Sequence, residues 1–202
     1  MVRIAVLISG SGTNLQALID ATKRKYIDGE IVLVVSNRIK AYGLERAKNA
    51  NIKAECIKDE KLLIERLQDE KIDLIVLAGY LAIISEELIN LYENKIINIH
   101  PSLIPSFSGP GFYGIHVHNA VYKRGVKVSG ATVHFVSKEV DGGPIILQKS
   151  IDISSCNSPE EIQEKILLNV EHKLLPEAVK LYCEGKIKVE NERVIILWKE
   201  HL

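Results

Sequence analysis

The first hundred residues alternate between short, β-branched apolar runs and amphipathic segments, and that alternation leaves few folds open. Val2–Ile8 reads as a strand that passes through Ser9-Gly10-Ser11-Gly12-Thr13-Asn14 into Leu15–Lys23, where Leu15, Leu18, Ile19 and Thr22 share one helical face. The pattern then repeats. Ile31–Val35 predicts a strand and Ala41–Asn49 a helix; Lys53–Ile57 predicts a short strand and Glu60–Glu70 a helix. Leu74–Ala78 is expected as a strand, Glu86–Tyr92 as a helix and Ile96–Ile99 as a strand. Continuous apolar strands separated by helices require a parallel sheet covered on both faces. The expected class is therefore α/β, a Rossmann-like, open, mostly parallel sheet.

Beyond Ile99 the pattern changes. Pro101–Gly114 holds three prolines and three glycines and should be an irregular surface loop. His116–Lys123 can form a short helix. Val128–Val136 and Ile145–Ile153 read as strands around an Asp141-Gly142-Gly143-Pro144 turn, with an antiparallel pairing expected. Ser158-Pro159-Glu160-Glu161 has the form of a capping box with proline at the first helical position. It opens a long helix whose apolar face includes Ile162, Ile166, Val170 and Leu174. Ile187–Val189 and Val194–Trp198 flank Asn191 as a terminal hairpin. We expect one domain over residues 1–202, with an alternating α/β half (1–100) and a second half of different pattern (101–202).

Charge and composition remove several functions. Twenty-six basic residues balance twenty-six acidic ones, so no basic field would hold a nucleic-acid backbone or an acidic membrane. The clusters Lys23-Arg24-Lys25 and Lys123-Arg124 read as solvated helix ends. Cys56, Cys156 and Cys183 are odd in number and widely spaced, which is neither a disulfide framework nor a metal pattern. No apolar stretch approaches the ~18 residues that span a bilayer. The N-terminus carries no basic-then-apolar leader, so a cytoplasmic protein is expected.

A strand that runs through a glycine loop into a helix N-terminus can hold an anion with free N–H groups and the helix dipole. A dinucleotide fingerprint needs a third glycine, and Leu15 stands there; no acidic residue follows the second strand, where Ser36, Asn37 and Arg38 lie. A Walker-type Gly-Lys-Ser/Thr is also missing. The loop suits a single phosphate, with Thr13 and Asn14 adding donors, or is a plain tight turn.

Ile96-Ile97-Asn98-Ile99-His100-Pro101 is the most informative stretch. Residues two apart on a strand share a face, so Asn98 and His100 point together at the C-terminal end, where open α/β sheets bind ligands. A carboxamide can stabilise the oxyanion of acyl transfer, and a histidine can protonate the departing nitrogen. The same residues could instead close a turn and satisfy a backbone group. Asp141 could be a turn former, or a carboxylate that favours a charged imidazole; its distance from His100 is beyond sequence reasoning. His134 reads as a core histidine. His116-x-His118 lacks an acidic or cysteine companion, so no metal is expected, and His172 and His201 have no ligand spacing.

Four segments, in order over nearly the whole chain, together resemble the phosphoribosylglycinamide formyltransferase branch of the folate-dependent formyltransferase family. They are Ile8–Ala17, Val76-Leu77-Ala78-Gly79-Tyr80, Asn98–Pro105 and Asp141-Gly142-Gly143-Pro144. The resemblance implies a transferase of purine synthesis that moves a formyl group from 10-formyltetrahydrofolate to glycinamide ribonucleotide, without metal, as a monomer or homodimer. By motif, Asn98 is implied as oxyanion donor, His100 as general acid and Asp141 as the carboxylate that raises its pKa. Gly12, Thr13, Asn14 and Leu15 match the substrate-phosphate loop, and Glu171 matches a residue at the ribose or phosphate end. Leu81, Ala82, Ile83 and Ile84, with Asn98, His134, Val136 and Val140, match the folate pocket. There are departures. Ala82 stands where many members have arginine, the Lys58–Lys61 region is short, and the loop Ser108–Gly114 is long, with Phe112 and Tyr113 added; it is expected to border the folate entrance. A dinucleotide-dependent oxidoreductase, a phosphate-binding module and a formyltransferase with another acceptor are the competing functions.

Overall fold

A computed structural model describes residues 1–197. The predicted alternation becomes β1 (Val2–Ile8), α1 (Thr13–Lys23), β2 (Gly29–Ser36), α2 (Gly43–Asn49), β3 (Lys53–Cys56), α3 (Glu60–Asp69), β4 (Leu74–Leu77), α4 (Glu86–Leu91) and β5 (Ile96–His100). These strands are parallel, and β6 (Val128–Phe135) and β7 (Ile145–Asp152) extend the sheet antiparallel, in the order β3-β2-β1-β4-β5-β6-β7. The chain reverses its direction of travel across the sheet between β1 and β4, so a crevice opens at the C-terminal ends of the central strands.

Strand alternation distributes the core over the two faces. Ile4, Val6 and Ile8 join Val76, Ile97 and Ile99 in one cluster with residues of α1, α5 (Ile115–Arg124), α6 (Pro159–Ile166) and α7 (His172–Cys183). Ala5 and Leu7 join Leu33, Val35, Ile75 and Leu77 in the other, under α3 and α4. A period of two on strands buried from both sides makes the central strands apolar over most of their length, as in Leu74–Leu77. That is why the sequence pattern was readable.

Two local expectations need correction. The long helix after Ser158 is interrupted: Leu167–Glu171 is a π-helical turn between α6 and α7. All four predicted face residues, Ile162, Ile166, Val170 and Leu174, are buried. Val170 and its neighbour Glu171, both within the π turn, are buried. The capping box forms only in part. Ser158 accepts from the Glu161 N–H, but the Glu161 carboxylate accepts from the N–H of Asn157, one residue before the cap. The terminal hairpin is present as β8 (Ile187–Glu190) and β9 (Arg193–Ile196). Its expected extension to Trp198, and His201, lie outside the described residues. No helix among the described residues is long and apolar enough to cross a membrane.

Candidate active site

A cleft of about 740 Å³ runs across the C-terminal ends of β1, β4 and β5, from the glycine loop at one end to the segments Leu81–Ile84 and Val136–Asp141 at the other. The long loop and the end of α6 form further walls, through Gly109–Gly114, Gln163 and Leu167.

At the first end, Gly12 is the N-cap of α1, with φ of 71°. A Cβ at that position would sit 2.6 Å from Gly43 Cα, so two glycines allow the loop to close on the start of α2. The first α1 N–H with a helical partner is that of Gln16, which donates to the Gly12 carbonyl at 2.9 Å. The N–H groups of Thr13, Asn14 and Leu15 are therefore the orphan donors of the helix start. The Leu15 side chain is fully buried in the core. Only its backbone N–H can serve a ligand, since an apolar residue at a helix's inward position belongs to the core first. Asn14 donates through Nδ2 to Glu171 Oε2 at 2.7 Å, and both residues are buried. Burial pushes the Glu171 carboxyl up to about 7, against the Asn14 hydrogen bond, which favours the charged form. Exposed Arg38 also borders this end.

At the centre, β5 and β6 place their polar residues opposite one another. Asn98 pairs with His134 and His100 with Thr132. Asn98 Nδ2 lies 3.1 Å from His134 Nε2, and His134 Nδ1 lies 2.8 Å from the Phe135 carbonyl. A carbonyl can only accept, so Nδ1 carries the His134 hydrogen and Nε2 accepts from Asn98. One Asn98 N–H remains for the cleft. His134 is thus both a satisfied buried histidine and a wall of the site.

Asp141 meets both imidazoles: Oδ2 is 3.4 Å from His100 Nδ1, and Oδ1 is 3.7 Å from His134 Nε2. The turn that carries it closes because Gly143 has no side chain; a Cβ there would lie 1.9 Å from the Phe135 carbonyl oxygen. Asp141 Oδ2 also accepts from the Gly109 N–H at 2.9 Å. Burial raises its carboxyl, but His134, the Gly109 N–H and the His100 ring together hold it below its ordinary value. Asp141 does raise the His100 pKa, as does the Phe107 carbonyl. Burial acts more strongly in the other direction, aided by His134, and the imidazole lies below its ordinary value. Asp141 thus acts on the ring in the expected direction, but a ring that is 4% exposed loses more solvation than the carboxylate returns.

Leu81, Ala82, Ile83, Ile84, Val136 and Val140 all border the cleft, and Leu81, Ile83 and Val140 are exposed apolar residues at its mouth. His118, not His116, reaches the cleft from α5. It is buried, and burial together with the nearby His100 lowers its pKa to about 4. His116 stays exposed against Tyr113. Sequence reasoning did not single out Arg38, Gln163 or Leu167 for the site, since a lone residue on a helix or loop leaves no pattern.

The sequence profile of the formyl transferase family matches residues 2–179. Phosphoribosylglycinamide formyltransferase of Escherichia coli is 35% identical over 92% of this chain and 89% of its own length. A trifunctional purine biosynthetic protein of Gallus gallus is 40% identical over 98% of the chain, which spans only 20% of that protein. The crystal structure of glycinamide ribonucleotide transformylase 1 from Symbiobacterium toebii superposes with a TM-score of 0.91 at 42% identity, covering 98% of this chain and 94% of the other.

Proposed function

The chain is a member of the formyl transferase family, and we propose that it moves the formyl group of 10-formyltetrahydrofolate onto the amine of glycinamide ribonucleotide. The observation that carries this reading is the convergence of Asn98, His100 and Asp141 midway along a cleft with a phosphate-sized anion site at one end.

The ribonucleotide's phosphate sits on the N–H groups of Thr13, Asn14 and Leu15, where the α1 dipole favours negative charge. Glu171 and Asn14 face the ribose. The pterin lies between Leu81–Ile84 and Val136–Val140, with its formyl carbon beside Asn98. The amine attacks that carbon and the carbonyl oxygen becomes an oxyanion, which accepts the free Asn98 N–H. One such donor lowers the barrier by ~2.7–4 kcal/mol. The intermediate collapses as the bond to N10 breaks, and His100 protonates that nitrogen. Asp141 keeps enough charge beside a desolvated imidazole for it to hold a proton. Leu15 in the third glycine position argues against a dinucleotide ligand.

Purified protein should form tetrahydrofolate from the two substrates and none from 10-formyltetrahydrofolate in water alone. Absence of turnover with glycinamide ribonucleotide, or equal rates with and without it, would sink the assignment of acceptor.

A further inference from the structure

Phe107, in the loop between β5 and α5, has φ of 51°, a left-handed conformation that bulky side chains rarely adopt. Such strain persists only where its surroundings over-determine it. Here they do. The Phe107 side chain packs against the core and meets Phe112 edge-on, with ring centroids 6.3 Å apart. Buried Ser102 donates to the Ser106 carbonyl at 2.6 Å and lies 3.3 Å from that of Phe107. Two residues on, the Gly109 N–H is tied to Asp141. The loop is therefore fastened on both sides of the buried imidazole. Its left-handed residue brings the Phe107 carbonyl oxygen 2.9 Å from His100 Nε2.

A carbonyl oxygen has no hydrogen to give, so a bond of this length requires the hydrogen on Nε2. The partner of one ring nitrogen decides which tautomer a histidine adopts. We propose that Phe107 is a positioning residue that fixes the neutral His100 as its Nε2–H tautomer, leaving Nδ1 as the nitrogen that takes up and releases the catalytic proton. The inference rests on the formyl-transfer reading for the identity of the proton acceptor, and on the loop geometry alone for the tautomer.

Nδ1 is also the nitrogen that faces Asp141, at 3.4 Å. In the transfer, the C–N bond to the amine forms and the C–N10 bond breaks. N10 gains the Nδ1 proton, and the proton shed by the attacking amine returns to Nδ1 by way of Asp141. The Nε2–H bond to Phe107 stays intact through the cycle, so the ring has no need to flip between turnovers. Donation from Nε2 would instead break that bond and leave the carbonyl only its longer contact with Ser102 Oγ, a hydroxyl already given to Ser106. The groups that face the ring are Asp141 from the β6–β7 turn, His134 from β6, His118 from α5 and the Phe107 carbonyl from the loop.

The test is ¹⁵N NMR of resting enzyme carrying labelled histidine, with His100→Gln used to find the His100 signals among those of six histidines. At a pH where the ring is neutral, Nε2 should be of the protonated type and Nδ1 of the unprotonated type. The opposite pattern overturns the proposal. The spectrum needs no substrate, so it decides the tautomer whether or not the assigned acceptor is right. Phe107→Ala should mix the tautomers and lower kcat about tenfold, with KM for both substrates within about twofold, because a loosened general acid loses alignment. The high-pH limb of its kcat profile should move to lower pH, since an acceptor that raised the pKa is lost. Phe107→Tyr should restore both. A folded Phe107→Ala enzyme with wild-type kcat and an unmoved limb would also overturn the proposal.

Discussion

The two ends of the cleft are built by different means. At the glycine loop the donors are backbone N–H groups, set in place by one strand, one left-handed glycine and one helix within a dozen residues of sequence. At the catalytic centre the groups are side chains from β5, β6 and the turn beyond, brought together by antiparallel pairing and by glycines that let the turn close. Binding a phosphate requires fixed partial charges, which a helix start supplies wherever it occurs. Proton transfer requires titratable groups whose affinities depend on burial and on each other. The first is a local property of the chain. The second is assembled at long range.

The contrast breaks most sharply if chemistry and binding are separated by mutation. His100→Ala should cost at least ~100-fold in kcat, and Asn98→Ala about 10²–10³-fold, with little change in affinity for glycinamide ribonucleotide. Steady-state kinetics and calorimetric titration check the two sides. Large losses of affinity would mean that the centre also serves as the binding end. Gly12→Ala should act the other way. Strain at φ of 71° and the contact with Gly43 should destabilise the fold by about 1–3 kcal/mol and weaken the ribonucleotide more than the folate, measurable by thermal melts with each ligand.

Glu171 sharpens the comparison, because it is a titrating side chain placed at the backbone-built end. Its folded pKa of about 7 lies above the ordinary 4.5, so the folded state binds the proton more tightly than the unfolded state. Stability contributed by this group is fully present below pH 4.5 and is lost as pH rises towards 7. Melting of the substrate-free protein across that window should show the decline, and Glu171→Gln should flatten it. A slope unchanged in the variant would place the titration elsewhere. The smallest effect is expected at Ser158→Ala, far from either end, where loss of a cap bond costs ~1 kcal/mol and leaves kinetics unchanged.

Much of this was legible from residues alone, and the reasons are specific. Ile4–Ile8 and Leu74–Leu77 are apolar throughout because both sheet faces are covered, and that pattern identifies a buried parallel strand. The spacing of Asn98 and His100 put both at the strand end where the cleft lies. The π turn left no trace, since one extra residue in a helical turn changes no periodicity that survives in a face as broad as Ile162 to Leu174. Leu15 divides between two destinations, its backbone N–H at the open helix start and its side chain in the core. The left-handed conformation of Phe107 had no signal either, for an aromatic residue there breaks the usual preference for glycine or asparagine.

The sequence by itself determined the order of elements, the covered sheet and the glycine loop that opens a helix, because hydrophobic period and glycine placement act over a few residues and read directly as burial. Only the tertiary structure decided that Asp141 reaches His100, that desolvation outweighs that carboxylate, and that a loop carbonyl occupies Nε2. Those outcomes depend on distances between groups far apart in the chain and on a competition between burial and charge whose sign no local pattern carries.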